Sequence, residues 1–90
     1  MAETFTDNAQ AGRYELDVDG KLAWADYRRH DGVLIIPHVE AEMALRGTGA
    51  ADRLMRQVAV AAKAEGTRII PTCGYAQAWL RRHEPELIAG

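Results

Sequence analysis

The chain has 90 residues, which allows one domain and excludes a two-domain enzyme. Hydrophobic residues make up 48% of it, but 16 residues are alanine, so the large apolar side chains must be concentrated in a few elements. Eleven Lys and Arg against 13 Asp and Glu give a net charge of −2, which argues against a disordered chain and against a nucleic-acid partner, because such binding favours a basic excess.

Residues 1–12 are polar and rich in alanine without a sustained period, and we expect them to form a flexible N-terminal arm before a single domain over residues 13–90. An alternation of apolar and acidic residues then predicts a strand. Asp19-Gly20 is typical of a tight hairpin turn, and Leu22 and Trp24 continue the alternation on the returning strand. The first ordered element is therefore predicted to be a β-hairpin.

A second turn signal, Asp31-Gly32, precedes the continuous apolar run of residues 33–36. Such a run predicts a strand that is covered on both faces. Pro37 has no N–H to give to a sheet, so it marks the end of this strand or a bulge in it. Together these segments predict a meander of three strands.

An apolar stripe at helical spacing begins after Gly49 and stops at Glu65-Gly66, which predicts a long helix. Residues 67–72 read as a strand, and this strand can lie parallel to residues 33–36 because the helix connects them. A short closing helix is predicted from about residue 75 to Pro85. The predicted fold class is α+β, with both Trp24 and Trp79 in the core.

The single cysteine cannot form an internal disulfide, and no apolar run approaches the roughly 20 residues that span a bilayer. The N-terminal residues lack the basic and apolar regions of a signal peptide. We therefore expect a soluble cytoplasmic protein without a membrane partner, as a monomer or a homodimer.

The segment Arg46-Gly47-Thr48-Gly49 stands immediately before the long helix. Glycines let backbone N–H groups approach an anion closely, the helix start adds a partial positive charge, and Arg46 adds a full one. An ordinary turn at a helix start is the alternative interpretation. The nucleotide-binding motifs do not fit, because no Gly-Lys-Ser/Thr follows and the third glycine of the dinucleotide fingerprint is absent.

With Ala50 and Ala51, this segment resembles the acetyl-CoA pyrophosphate loop of the GNAT N-acetyltransferase superfamily. Two further blocks, residues 35–40 and residues 71–83, resemble its short stand-alone branch. The resemblance covers about residues 33–85 and implies a truncated GNAT fold. It also implies an acetyl-CoA-dependent transfer of acetyl to an amine, carried by a small molecule or a protein lysine.

The resemblance assigns residues to this chemistry without a metal site. Pantetheine is expected between the strand ending near Val39 and the parallel strand, with Cys73 and His38 as the catalytic candidates. Cys73 would accept the acetyl group transiently or assist proton transfer, and His38 would accept a proton near neutral pH. The cofactor-binding residues implied are Val39, Arg46, Gly47, Thr48, Gly49, Ala50, Ala51 and Tyr75.

One departure from the superfamily pattern keeps other functions open. Cys73 stands where typical members have Asn, and Leu80 stands where they have a tyrosine that protonates the departing thiolate. A buried structural role remains the alternative for Cys73, and a loop contact for His38. The alternatives for the whole chain are a CoA-binding module without turnover and an interaction domain that retains only the fold. Glu40 is a further candidate base, ranked below His38.

Overall fold

The computed structural model describes residues 2–89, in which two helices cover one face of a five-stranded sheet. The strands lie in the sheet in chain order, and β5 is parallel to β4 whereas the other pairs are antiparallel. This architecture confirms the α+β class and a truncated GNAT fold. The strands are β1 (Glu3–Asn8), β2 (Arg13–Val18), β3 (Lys21–His30), β4 (Val33–Ala41) and β5 (Arg68–Pro71), and the helices are α1 (Ala50–Glu65) and α2 (Gly74–His83).

Both predicted two-residue turns are present. Val18 pairs with Lys21 around Asp19-Gly20, and His30 pairs with Val33 around the second turn. Asp19 and Gly20 have φ angles of 53° and 88°, the two positive values that a type I′ turn requires. These turns fix the register of the meander.

The expected flexible arm is wrong for residues 3–8, which form β1. This strand pairs with β2 along its whole length, from Glu3 with Val18 to Asn8 with Arg13. Phe5 is the one large apolar residue of β1, so no alternation of apolar and polar residues indicated a strand there. The neighbouring β2 supplies the hydrogen bonds that order this strand. The meander therefore has four strands instead of three.

The two faces of the sheet differ in what covers them. The helices bury the face that carries Leu16, Leu34 and Ile36, each at most 1% exposed. The opposite face, called the open face below, carries Trp24 and Ile35 half-buried. The predictions that residues 33–36 are covered on both faces and that Trp24 belongs to the core are therefore wrong.

The register of the β2–β3 hairpin explains why alanines, and not Leu22 and Trp24, face the core on β3. Leu16 pairs with Ala23, so the small residues Ala23 and Ala25 point into the core, and both are fully buried. Trp24 points to the open face, where the Arg13 guanidinium lies 5.1 Å from its ring centroid. Alanines leave room on the core face for the packed helix, which the larger Leu22 and Trp24 would not.

Helix α1 has the predicted extent and packs on the sheet through its apolar stripe. Leu54, Val58 and Ala62 are fully buried. Gly66 ends the helix with a φ of 70° and donates its N–H to the carbonyls of Ala62 and Lys63, a left-handed cap that glycine adopts without strain. None of the helices over residues 2–89 is both long enough and apolar enough to cross a membrane.

Candidate functional site

The sheet opens at the middle of β4. Tyr27 on β3 lies opposite both Ile36 and Pro37, because the register shifts there by one residue. The predicted interruption at Pro37 is therefore a β-bulge. The parallel pairing with β5 also stops here, at Ile36 with Pro71. Beyond this point residues 38–41 of β4 keep only β3 as a neighbour, and a gap separates them from residues 72–75.

Backbone groups of β4 point into this gap. The N–H of Glu42 donates to the carbonyl of Leu22 on β3 at 2.9 Å. Because consecutive residues of a strand point their backbone groups to opposite sides, those of Val39 and Ala41 are directed away from β3. The guanidinium of Arg46 reaches the carbonyl of Ala41 at 3.5 Å. The gap thus offers main-chain donors and acceptors to an extended polar ligand.

The loop before α1 borders the same gap. Gly47 and Gly49 have φ angles of 78° and 81°, a left-handed conformation that explains the need for glycine at both positions. Gly49 caps the helix without a side-chain hydrogen bond. The N–H groups of Ala50 and Ala51 therefore have no partner within the helix and are available to an anion.

Two adjoining cavities connect the loop to β4. One of about 300 Å³ lies over the loop and the start of α1, and the other, of about 250 Å³, extends along the second half of β4. They have Ala41, Arg46, Ala51 and Tyr75 in common. Eight residues are predicted to bind the cofactor. Seven of them line one or both cavities, and Thr48 lines neither. The seven are Val39, Arg46, Gly47, Gly49, Ala50, Ala51 and Tyr75.

Tyr75 stands at the start of α2 with its side chain 43% exposed at the cavities. Burial and the negative charge of Asp52 raise the pKa of its hydroxyl. The phenol therefore stays protonated at neutral pH and offers an O–H donor to whatever fills the cavities.

Asp52 introduces a negative charge into the cavity wall, but both of its carboxylate oxygens are engaged elsewhere. Trp79 Nε1 donates to Oδ1 at 2.7 Å, and Arg56 Nε donates to Oδ2 at 3.0 Å. These contacts lower the pKa of Asp52, mainly through the Trp79 hydrogen bond. Through Trp79 the carboxylate thus ties α1 to α2.

His38 lies directly after the bulge, opposite Asp26 on the open face. Its Nε2 is 3.4 Å from Oε1 of Glu40, and the two side chains are 51% and 42% exposed. The pair stands at the edge of the gap within reach of solvent. The Glu40 carboxylate at this distance can orient the imidazole ring.

Cys73 lies across the gap, immediately before α2. Its side chain is half-buried and packs against the core, and its N–H donates to the carbonyl of Ile36 at 3.2 Å. His38 and Cys73 therefore border the gap from opposite faces of the sheet. No hydrogen bond joins the imidazole to the thiol in the part of the chain described.

The structure adds contacts for Glu40, Asp52 and Arg53 to the predicted site, and the ranking of Glu40 below His38 stays a prediction. Glu40 lines the cavity along β4 besides contacting His38. Its position two residues after His38 on a strand, hence on the same face, is the sequence signal for their contact. Asp52 and Arg53 act through contacts with Trp79 and with Thr48 and Glu3, which only the fold reveals.

Comparison with protein families identifies a match. The model of the GCN5-related N-acetyl-transferase family Acetyltransf_CG matches residues 13–88, which is most of the chain and includes both sides of the gap. Comparison with curated proteins gives no match.

Proposed function

Because the chain belongs to the GCN5-related N-acetyl-transferase family, we propose that it is an acetyl-CoA-dependent N-acetyltransferase that acetylates an amine. The observation that carries the proposal is the gap beside β4. There, free N–H groups at a helix start, the Arg46 guanidinium and unpaired strand backbone line adjoining cavities. This set of donors suits a ligand with a charged pyrophosphate and an amide-containing arm.

Different residues would bind different parts of the cofactor. Arg46 and the N–H groups of Gly47, Gly49, Ala50 and Ala51 would hold the pyrophosphate, whereas the N–H of Thr48 donates to the carbonyl of Leu45. The backbone of Val39 and Ala41 would bind the amides of the pantetheine arm, with Tyr75 closing the far side. The bound cofactor would supply a thioester whose carbonyl carbon an amine can attack, and the protein's part is to hold that carbon beside the bulge.

His38 is the proposed proton acceptor. An ammonium must lose a proton before its nitrogen can form a C–N bond, and the exposed imidazole can take that proton on the open face. Glu40, 3.4 Å from Nε2 of His38, would orient the ring for this transfer. As the C–N bond replaces the C–S bond, the departing thiolate must be protonated, and the protonated phenol of Tyr75 lies along the same cavities.

Cys73 is proposed to carry the acetyl group transiently. Its thiol borders the gap from the core side, so the acyl group would pass from the cofactor thiol to Cys73 and then to the amine. Mass spectrometry of the protein after incubation with acetyl-CoA should show a gain of about 42 Da that Cys73→Ala abolishes. If Cys73→Ala keeps the wild-type turnover rate, transfer is direct and the thiol is not needed.

Titration calorimetry with CoA tests the cofactor site, and two glycines provide a matched pair. Gly47 and Gly32 both have a φ of 78° and open space where a Cβ would stand. Alanine at either position costs about 1–2 kcal/mol of backbone strain. We expect Gly47→Ala to weaken CoA binding about tenfold, because it disturbs the N–H groups of the loop, and Gly32→Ala to leave it unchanged.

Equal affinities of Gly47→Ala and wild type would remove the loop from the proposal. Absence of CoA binding by the wild-type protein would contradict both cofactor-dependent functions and leave an interaction domain.

A CoA-binding module without turnover is the second candidate, and Leu80 is the observation that favours it. This residue occupies the position of the superfamily's tyrosine acid and is fully buried in the core, so no hydroxyl reaches the gap from there. Release of free thiol from acetyl-CoA in the presence of polyamines or lysine peptides distinguishes the two. Binding without amine-dependent thiol release would establish the module.

The acceptor side of the site is exposed. His38 is half-exposed on a sheet face that no helix covers within residues 2–89. We therefore propose an acceptor whose own bulk shields the reaction, such as a lysine on a protein surface, in preference to a small enclosed amine.

A further inference from the structure

Arg53, the fourth residue of α1, joins three segments of the chain through one guanidinium. Its Nη1 donates to the carbonyl of Thr48 at 2.9 Å. Its Nε lies 3.1 Å from both carboxylate oxygens of Glu3, and Nη2 lies 3.0 Å from Oε1 of the same residue. Arg53 thereby connects strand β1 to the glycine loop that precedes its own helix.

The loop depends on this connection because it is not backed by packed side chains. A cavity of about 570 Å³ lies behind it, on the side away from the proposed cofactor. Thr48, Arg53 and Glu3 line this rear cavity, whereas Gly49 lines the front one. Leu45, which lines both, anchors the loop and accepts hydrogen bonds from the N–H and hydroxyl of Thr48.

The contact with the Thr48 carbonyl determines where the next N–H points. A trans peptide unit is planar, and its C=O and N–H point in opposite directions. The Thr48 carbonyl is held toward Arg53 in the rear cavity, so the N–H of Gly49 faces forward. Gly49 on the C-terminal side of this peptide would otherwise let the unit rotate easily.

We propose that Glu3 and Arg53 are positioning residues that lock the Thr48–Gly49 peptide with its N–H directed at the cofactor pyrophosphate. The inference rests on the proposed function. Glu3 lies outside the residues matched by the family model, so strand β1 adds a brace to the site that the family match does not contain. Glu3 neutralises the positive charge of Arg53. Arg53 therefore acts by holding the Thr48 carbonyl in place and not by attracting the phosphate.

Calorimetry with CoA on Glu3→Gln, Arg53→Gln and Arg53→Lys tests this proposal. We expect each variant to bind CoA about three- to tenfold more weakly, since part of the binding energy is then spent on ordering the loop. Lysine should not restore affinity, because one ammonium cannot span both Glu3 and the Thr48 carbonyl. The double variant Glu3→Gln/Arg53→Gln should be no weaker than Arg53→Gln alone.

Lys63→Gln is the matched control. It removes another ion pair of α1, that with Glu84 at 2.7 Å, at the end of the helix far from the loop. Its CoA affinity should equal that of the wild type. Three results would overturn the proposal: tighter binding by Glu3→Gln, which would mean that a freed Arg53 contacts phosphate itself, wild-type affinity in Arg53→Lys, or additive losses in the double variant.

Amide hydrogen exchange at Gly49 in the CoA-free protein separates this proposal from the proposed function. If the brace operates, Glu3→Gln changes the exchange rate and the ¹⁵N–¹H shift of Gly49 while distant amides such as that of Ala62 stay as in the wild type. Unchanged Gly49 signals would refute the brace even if CoA binds. A wild type that fails to bind CoA would refute the proposed function, and the exchange result would still decide on the brace.

Discussion

The two halves of β4 are both extended strand, but they differ in which strands and cavities lie beside them. Residues 33–36 lie between β3 and β5, and their core-facing side chains are fully buried. Residues 38–41 keep only β3, and their other edge lines the cavities. The difference arises at a single bulge, where Pro37 cannot donate a hydrogen bond and β5 turns away into α2. The second half of the strand offers a candidate binding edge because it lacks a second neighbouring strand.

Leu34 should show the largest effect in this comparison. We expect Leu34→Ala to lower the free energy of unfolding by about 3 kcal/mol or more, because it leaves a cavity between the sheet and the helices. Val39→Ala, in the open half of the same strand, should cost less than about 1.5 kcal/mol, since Val39 is only half-buried. Urea denaturation of both variants gives the two values. Equal losses would show that the second half is as tightly packed as the first.

Substitution of His38 should give the next largest effect, on the rate of catalysis and not on the free energy of unfolding. We expect His38→Gln to lower kcat about 100-fold with little change in CoA affinity, because the proton acceptor is lost and the cofactor contacts remain. His30→Gln is the matched control. Its Nε2 also lies beside a carboxylate, 3.2 Å from Asp31, but at the turn between β3 and β4, away from the gap. The same loss of kcat in both variants would exclude a specific role for His38.

Asp52 should give the smallest effect, visible in the pH dependence of stability. The Trp79 hydrogen bond lowers its pKa from the usual 3.8, so the ionised carboxylate stabilises the fold above that value. This stabilisation is lost as pH falls through the lowered pKa, below about pH 4. Because the side chain is 39% exposed, the contribution should be under about 1 kcal/mol.

Acid titration of the free energy of unfolding, followed by circular dichroism, measures this contribution. Asp52→Asn should be less stable than the wild type at neutral pH and should converge toward it below pH 4. A constant difference over the whole pH range would mean that the carboxylate charge contributes nothing. Such a result would also weaken the idea that this contact holds α2 against α1 beside the gap.

Much of the fold follows from local sequence signals. The dipeptides Asp19-Gly20 and Asp31-Gly32 require positive φ angles, and the apolar stripe with its terminal Gly66 determines α1. Strand β1 escaped prediction because an edge strand needs few apolar residues, and its order comes from pairing with β2. The buried face of β3 escaped because alanine carries little hydrophobic signal, although the register of the hairpin selects Ala23 for the core.

The candidate site was predictable where it depends on backbone and not where it depends on contacts between distant residues. Two glycines and an arginine before a helix suffice to suggest an anion loop, and Pro37 suffices to suggest an interrupted strand. The bridge from Glu3 through Arg53 joins strand β1 to the loop before α1, about 45 residues later in the sequence, so no local spacing indicates it. The separation of His38 and Cys73 onto two faces likewise depends on how β4 and β5 diverge.

The parallel pairing of β4 with β5 also bears on the order in which the molecule folds. The two hairpins from β2 to β4 are closed by two-residue turns and require only local contacts, whereas Val33 meets Arg68 only after the whole of α1 has been traversed. Closing that long loop costs chain entropy that the local hairpins do not incur. We expect the meander to form first, so that kinetic φ-values are higher for substitutions at Leu16 than at Ile69. On the ribosome, a chain would then acquire its gap only when β5 has emerged and docked, and binding competence would mark the completion of folding.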